Sequence, residues 1–171
     1  MTWTIHDSPI GPLTLIAGDA GLSGLCFPEY APALPEAERE PETLAEVTRQ
    51  LDEYFAGTRQ RFELQLDLHG TPFQLAVWEQ LRALDYGTTV SYGELARRIG
   101  REDRVRAVGG AVGRTPVPII VPCHRVIGAD GSLTGYGGGI PRKSALLTLE
   151  AGVASGAGPG PAWHRQLTLS L

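Results

Sequence analysis

The residues with the clearest chemical potential are Cys123 and His124, a nucleophile and a base that are adjacent in the chain. A cysteine reacts as a thiolate, and a nearby positive or polarising group such as His124 or Arg125 favours that form. The β-branched run at residues 117–121 predicts a short buried strand, and Pro122 ends it in a turn. Such a turn can hold a reactive side chain at the wall of a pocket. On these residues alone, a core cysteine beside an unrelated histidine remains the alternative.

The composition describes a globular chain of 171 residues, 42% of them hydrophobic, which can bury one substantial core or two modest ones. No apolar run approaches the length of about 20 residues that crosses a bilayer. The N-terminus lacks a basic region followed by an apolar run, so we expect no signal peptide. Two cysteines without a CxxC motif favour a reduced, cytoplasmic setting over a disulfide framework.

The charge is unevenly distributed along the chain, whose net value is −4. Residues 1–68 carry 12 acidic and 4 basic side chains, whereas residues 69–155 carry 7 acidic and 10 basic ones. Taken over the whole chain, this net charge argues against a nucleic-acid partner. The basic surplus of the second part, which contains Cys123, permits one.

The first 68 residues have the pattern of a small α+β scaffold unit with antiparallel strands. Short apolar segments between Gly/Pro turns predict the strands, and Cys26 alternates with apolar neighbours as a core residue. A helical repeat covers residues 42–55. The predicted strands span residues 2–6, 12–17, 22–27 and 62–68.

Composition shifts divide the chain into three parts. A boundary at His69-Gly70-Thr71-Pro72 separates an N-terminal domain, residues 1–68, from a second domain, residues 69–154. The Gly/Pro-rich start of residues 155–171 predicts a flexible tail.

The second domain begins with three predicted helices. The first spans residues 73–84 with Thr71 as its cap, and the second begins at Ser91, where Glu94 completes a capping box. The third spans residues 103–112. Two short helices around a tight turn, rich in small residues and arginines, suggest a helix-turn-helix, although an ordinary helical pair is the commoner arrangement for such a pattern.

The end of the second domain adds a glycine-rich loop and a last helix. Tyr136 lies among glycines in residues 128–139, which match neither of the phosphate-binding glycine motifs and predict a mobile pocket wall instead. The last helix is predicted at residues 142–151. Glu150 lies near its C-terminal end, where the helix dipole disfavours an acid, which invites a functional explanation, although a solvated surface glutamate is the commoner case.

Four segments carry a family resemblance: Val90-Ser-Tyr-Gly-Glu-Leu-Ala, Arg106-Ala-Val-Gly-Gly-Ala, Pro116-Val-Pro-Ile-Ile-Val-Pro-Cys-His-Arg-Val-Ile, and the region from Tyr136 to Glu150. Together they resemble the O6-alkylguanine-DNA alkyltransferases, also called methylated-DNA–protein-cysteine methyltransferases. The resemblance runs from about residue 71 to residue 152, with a looser fit over residues 1–68.

The resemblance implies a fold and a function. The fold is α+β, with a small N-terminal α+β domain of antiparallel strands and a mostly helical C-terminal domain that carries a helix-turn-helix and the active-site cysteine. The function is DNA repair in a single turnover. A monomer without a cofactor binds duplex DNA, flips an O6-alkylguanine (and in some cases an O4-alkylthymine) into a pocket, and keeps the alkyl group on Cys123.

The resemblance also implies roles in the reaction. His124 takes the proton of the Cys123 thiol through a water, Glu150 orients the imidazole, and Tyr92 gives a proton to the leaving guanine. The groups implied to contact the base are the backbone at Cys123 and the residues Val126, Tyr136, Gly137 and Thr115.

The second helix of the helix-turn-helix is implied to enter the minor groove. Small residues allow its close approach, and Arg106 enters the base stack where the guanine leaves. The residues implied to contact DNA are Arg106, Ala107, Gly109, Gly110 and Arg125.

Two departures from the family pattern carry predictions. Thr115 replaces the usual asparagine that bridges the recognition helix to the active-site segment, so we expect a looser hinge and a slower reaction. Some relatives bind zinc through paired cysteines, but Cys26, His6 and His69 lack a second free cysteine, so we predict no structural metal. The glycines at 137–139 predict a pocket that accepts adducts as large as benzyl.

Other functional classes remain as alternatives. A non-catalytic lesion-binding protein shares the fold but lacks the reactive cysteine, so Cys123 argues against it. A helix-turn-helix regulator needs a dimerising or sensing segment, and a cysteine hydrolase needs a positioned water for deacylation. Stoichiometric single turnover separates the alkyltransferase from all three.

Overall fold

The computed structural model describes residues 1–160, 163, 164 and 167. The chain forms two compact units, Met1–His69 and Gly70–Leu171. The first contains an antiparallel sheet and one α-helix, and the second is mostly helical, which confirms the predicted α+β class. Among the described residues, no helix is long and apolar enough to cross a membrane.

The first unit is built on a three-stranded sheet in the order β1 (Thr2–His6), β2 (Leu13–Gly18) and β3 (Gly21–Cys26). These are the predicted strands, to within a residue at each end. Helix α1 (Ala45–Phe55) follows and buries its apolar face; it ends where predicted but begins three residues later, because Pro41–Leu44 form a 3₁₀ turn. A hydrogen bond of 2.7 Å between the His6 Nε2 and the Asp52 Oδ1 joins β1 to α1.

The strand predicted at residues 62–68 is wrong, because this segment meets β3 at one point only. An isolated bridge joins Leu22 to Leu66, with two hydrogen bonds of 2.9 and 2.8 Å at Leu22. The buried Gln50 side chain donates to the Glu63 carbonyl and accepts from the Glu63 N–H. These hydrogen bonds to a side chain take the place of a strand ladder at this point. Cys26, predicted in the core, is half-buried.

The described part of the second unit contains four α-helices and a small parallel pair of strands. Helix α2 (Pro72–Arg82) begins with a complete capping box between Thr71 and Gln74. Ser91 caps α3, but Glu94 pairs with Arg97 and Arg98, so only half of the predicted box forms. The remaining elements are α3 (Tyr92–Arg98), α4 (Val105–Gly113), β4 (Val90–Ser91), β5 (Val126–Ile127) and α5 (Ile140–Ala154).

Helices α3 and α4 form the predicted helix-turn-helix, and α4 packs against α2 as well as α3. Val108, Ala111 and Val112 are the buried residues of α4. The buried indole of Trp78 on α2 donates to the Ala111 carbonyl at 2.9 Å. This hydrogen bond fixes α4 against α2 and leaves the opposite face of α4 at the surface.

The strand predicted at residues 117–121 is a buried turn. The Val121 N–H donates to the Val117 carbonyl at 2.9 Å, and Ile119 has φ = 74°, the one non-glycine positive φ among the described residues. Pro116 and Pro118 explain the difference, because neither has the N–H that a strand ladder needs. The run is as apolar and buried as predicted, but it is folded back on itself.

The last helix is longer than predicted and ends at Ala154. Residues 155–160 form turns. The flexible tail predicted over residues 155–171 lies partly outside the described residues.

Candidate active site

Cys123 begins a single 3₁₀ turn, Cys123–Arg125, that connects the buried turn to β5. The side chain is 5% exposed. Burial raises the pKa of Cys123 to about 11, against opposing effects from a hydrogen bond with Thr115 and the charge of Lys143. The resting protein therefore holds a thiol at neutral pH, and a thiolate requires a base to take its proton.

His124 and Glu150 form a buried pair beside the cysteine. The His124 Nε2 lies 2.6 Å from the Glu150 Oε2, and both side chains are at most 1% exposed. Burial alone would raise the pKa of Glu150, but the charge of His124 and hydrogen bonds from His124 and Arg125 outweigh it, so this pKa is well below its usual value. Within the described part of the chain, the buried His124 Nδ1 has no hydrogen-bond partner.

Arg125 faces inward, which corrects its prediction as a DNA contact. Its guanidinium donates to both oxygens of Glu150, at 2.7 and 3.1 Å, and to the Leu84 carbonyl at 2.8 Å. It also lies 5.5 Å from the ring centre of Tyr86. A side chain that is 6% exposed and engaged on this many sides is not available to a phosphate.

Tyr92 is the first residue of α3, and its ring lies next to Gly109 of α4. Its hydroxyl donates to the Thr134 carbonyl at 3.0 Å. Burial raises the pKa of Tyr92, the hydrogen bond to Thr134 lowers it, and the nearby Cys123 raises it. The phenol is therefore a protonated hydrogen-bond donor, tied to the glycine-rich loop.

Lys143 is a site residue that the sequence reasoning missed. It is the single lysine in the chain, and its side chain is fully buried. The ammonium donates to the Val126 carbonyl at 2.5 Å and to the Thr134 carbonyl at 2.9 Å. The sequence carried one signal for this burial. Lys143 lies seven residues, about two helical turns, before Glu150 in α5, so the two side chains share the inner face of the helix.

Two of the residues predicted to contact the base, Thr115 and Tyr136, interact with Cys123. The Thr115 hydroxyl donates to the Val112 carbonyl at 2.7 Å, which ties the end of α4 to the segment before Cys123. Tyr136 is half-buried, and burial raises the pKa of its phenol well above the usual value. Gly137 is exposed and has open space where a side chain would project.

The residues predicted to contact DNA, other than Arg125, lie on α4. Arg106 and Gly110 are exposed, and Ala107 and Gly109 are half-buried. Among the described residues, no group of three or more His, Cys, Asp or Glu side chains could hold a metal ion.

A buried cysteine beside a histidine–carboxylate pair, in a unit with a helix-turn-helix, describes a protein that combines nucleophilic chemistry with a nucleic-acid-binding fold. Two family models cover most of the chain. The "6-O-methylguanine DNA methyltransferase, DNA binding domain" matches residues 72–152, and the "6-O-methylguanine DNA methyltransferase, ribonuclease-like domain" matches residues 1–68. The chain belongs to the 6-O-methylguanine DNA methyltransferase family, which confirms the resemblance seen in its motifs.

Individual relatives agree with this assignment. The methylated-DNA–protein-cysteine methyltransferase of Mycobacterium bovis is 52% identical over 146 residues, covering 84% of this chain and 88% of the relative. That of Methanosarcina acetivorans is 45% identical, covering 88% and 98%. The structure is similar to that of the Mycobacterium tuberculosis OGT in complex with DNA, with a TM-score of 0.87, 45% identity, and coverage of 98% and 99%.

Proposed function

We propose that the protein repairs alkylated DNA by moving the alkyl group from O6 of guanine in a duplex onto Cys123. The observation that carries this proposal is the buried Cys123 next to the His124–Glu150 pair, in a chain of this family. A soft thiolate is the nucleophile that displacement at an alkyl carbon needs.

The first step is removal of the thiol proton. Because Glu150 is ionised, it accepts the Nε2–H of His124, which leaves the lone pair of the neutral imidazole on Nδ1. Nδ1 takes the proton of Cys123 through a water, and Glu150 stabilises the imidazolium that forms. The raised pKa of Cys123 makes this transfer necessary rather than optional.

The second step is displacement. The Cys123 sulfur forms a bond to the alkyl carbon, the bond from that carbon to O6 breaks, and its electron pair goes to the guanine. The Tyr92 hydroxyl supplies the proton that neutralises the departing base, and the proton from the thiol restores the phenol. One proton leaves the thiol and one arrives on guanine, so no co-reactant is needed.

The DNA contact uses the exposed face of α4. Arg106 enters the base stack where the lesion leaves, while Ala107, Gly109 and Gly110 allow the helix to approach the minor groove closely. The net positive charge of residues 69–155 supports attraction to the phosphate backbone. The base then lies against Tyr136, Gly137 and the backbone at Val126.

The product is a thioether, and none of the site residues that the structure describes is set up to hydrolyse it. We therefore propose a single turnover by a cytoplasmic monomer, with O4-alkylthymine as a further substrate. A fixed amount of a duplex containing one O6-methylguanine is titrated with the protein, and restored guanine is measured. Repair should stop at one lesion for each protein molecule. Repeated turnover, or tight lesion binding without repair, would overturn the proposal, and the second result would point to a lesion-binding protein.

A further inference from the structure

Arg125 combines two properties that a solvated arginine lacks: burial, and a hydrogen bond to protein from each of its three guanidinium nitrogens. Its Nε and Nη2 bind the two oxygens of Glu150, and its Nη1 binds the Leu84 carbonyl. Burying a guanidinium is costly unless it is paired and hydrogen-bonded in this way. Arg125 takes no direct part in the proton transfer or the displacement, although it is next to His124 in the chain.

We propose that Arg125 is a positioning residue that locks the Glu150 carboxylate and balances its charge, so that His124 is held ready to accept the Cys123 proton. This inference rests on the proposed function. It gives the arginine a task in the relay in place of the DNA contact predicted from the sequence.

The locking follows from how the carboxylate is held. Oε2 of Glu150 accepts from His124 at 2.6 Å and from Arg125 at 3.1 Å, while Oε1 accepts from Arg125 at 2.7 Å. The Gly87 N–H approaches Oε1 at 3.4 Å. Donors on both oxygens fix the plane of the carboxylate, and this plane sets the direction of the imidazole, with Nδ1 as its free acceptor.

The charge balance follows from the same contacts. Loss of the guanidinium would leave the buried carboxylate to favour a protonated imidazole, which is the form in which His124 cannot act as a base. With the guanidinium in place, the carboxylate charge is already compensated. The imidazolium then forms when the thiolate does, and the two opposite charges appear together.

The other titratable groups around the carboxylate and the thiol do not replace this counter-charge. Tyr86 and Tyr136 both interact electrostatically with Glu150. Burial raises the pKa of Tyr86 to about 12 and that of Tyr136 well above its usual value, so both are neutral phenols. Lys143 acts electrostatically on Cys123 and is bound to the Val126 and Thr134 carbonyls.

The test compares Arg125→Met, which removes the positive charge, with Arg125→Lys. The lysine keeps the charge but cannot form the two parallel hydrogen bonds that the guanidinium donates to Glu150. Arg82→Met, an exposed arginine on α2, is the control for loss of one positive charge. Single-turnover transfer from an O6-methylguanine duplex is measured across about pH 5 to 9 in the full chain.

The acid side of the pH–rate profile should move to higher pH by at least about one unit in Arg125→Met. Arg125→Lys should keep the acid side in place, with a plateau rate about tenfold lower because the carboxylate is no longer locked. Arg82→Met should match the unmodified protein. An unmoved profile in Arg125→Met, or an equal displacement in Arg125→Lys, would overturn the proposal.

A second measurement, of thermal unfolding, tests the proposal even where Arg125→Met is too unstable for the kinetic assay. The thermal midpoint should drop in that variant and recover largely in the double variant Arg125→Met/Glu150→Gln, since the uncompensated carboxylate has been removed. A double variant that melts as low as the single one would refute the charge balance. This melting test needs no alkyl transfer, so its result is separate from the fate of the proposed function.

Discussion

Lys143→Met removes a buried ammonium while nearly keeping the volume of the side chain. The ammonium donates hydrogen bonds to the Val126 and Thr134 carbonyls, which belong to β5 and the glycine-rich loop. A hydrogen bond to a charged group contributes about 1.5–3 kcal/mol. The cost of burying the ammonium offsets part of two such bonds, so we expect a loss of about 2–4 kcal/mol in unfolding free energy.

Urea unfolding followed by circular dichroism and tryptophan fluorescence measures this loss. Arg142→Met is the matched control, because Arg142 is the preceding residue, carries the same charge, is half-buried, and donates to the Gly138 carbonyl at 3.2 Å. It should change stability by less than about 1 kcal/mol. If Lys143→Met were as stable as the control, the two carbonyls would have other donors, and the assignment of Lys143 as the tie between β5 and the loop would be refuted.

Three further predictions concern single side chains. Thr115→Val should raise the pKa of Cys123 further and slow alkyl transfer, whereas Thr115→Asn should speed it; an unchanged rate in Thr115→Asn would contradict the looser hinge. Because the fold lowers the pKa of Glu150 below its usual 4.5, the stability it contributes is complete above about pH 4.5 and is lost as the pH falls through the lower folded-state value. Acid unfolding should therefore be less steep in Glu150→Gln, and an equally steep curve would contradict this. Thr71→Ala should cost about 1 kcal/mol in urea unfolding because the cap of α2 is lost, and no change would show that the cap is redundant.

The elements with strong periodicity were predictable from the sequence. The three strands of the first unit, the helices α1 and α2, and the Thr71 cap follow from local patterns that the fold preserves. The buried turn at residues 117–121 was not predicted, because an apolar run has the same appearance in a strand and in a buried turn. Pro116 and Pro118, spaced by two, were the signal against a ladder.

The site was predictable in part for a similar reason. The pairing of His124 with Glu150 followed from the family motif and from an acid at an unfavourable helix position. The direction of Arg125 did not, because all three residues of its 3₁₀ turn are buried, and the distant partners that bury Arg125, Leu84 and Glu150, cannot be read from the local sequence. Lys143 was passed over because a lysine on a helix is usually exposed, and its burial depends on packing with distant carbonyls.

Intact-mass spectrometry tests the central claim most directly. The protein and its Cys123→Ala variant are incubated with a duplex that contains one O6-methylguanine. The protein should gain about 14 Da, saturating at one methyl group for each molecule, and Cys123→Ala should gain nothing. A gain of the same size in Cys123→Ala, or no gain in the unmodified protein, would contradict alkyl transfer to Cys123.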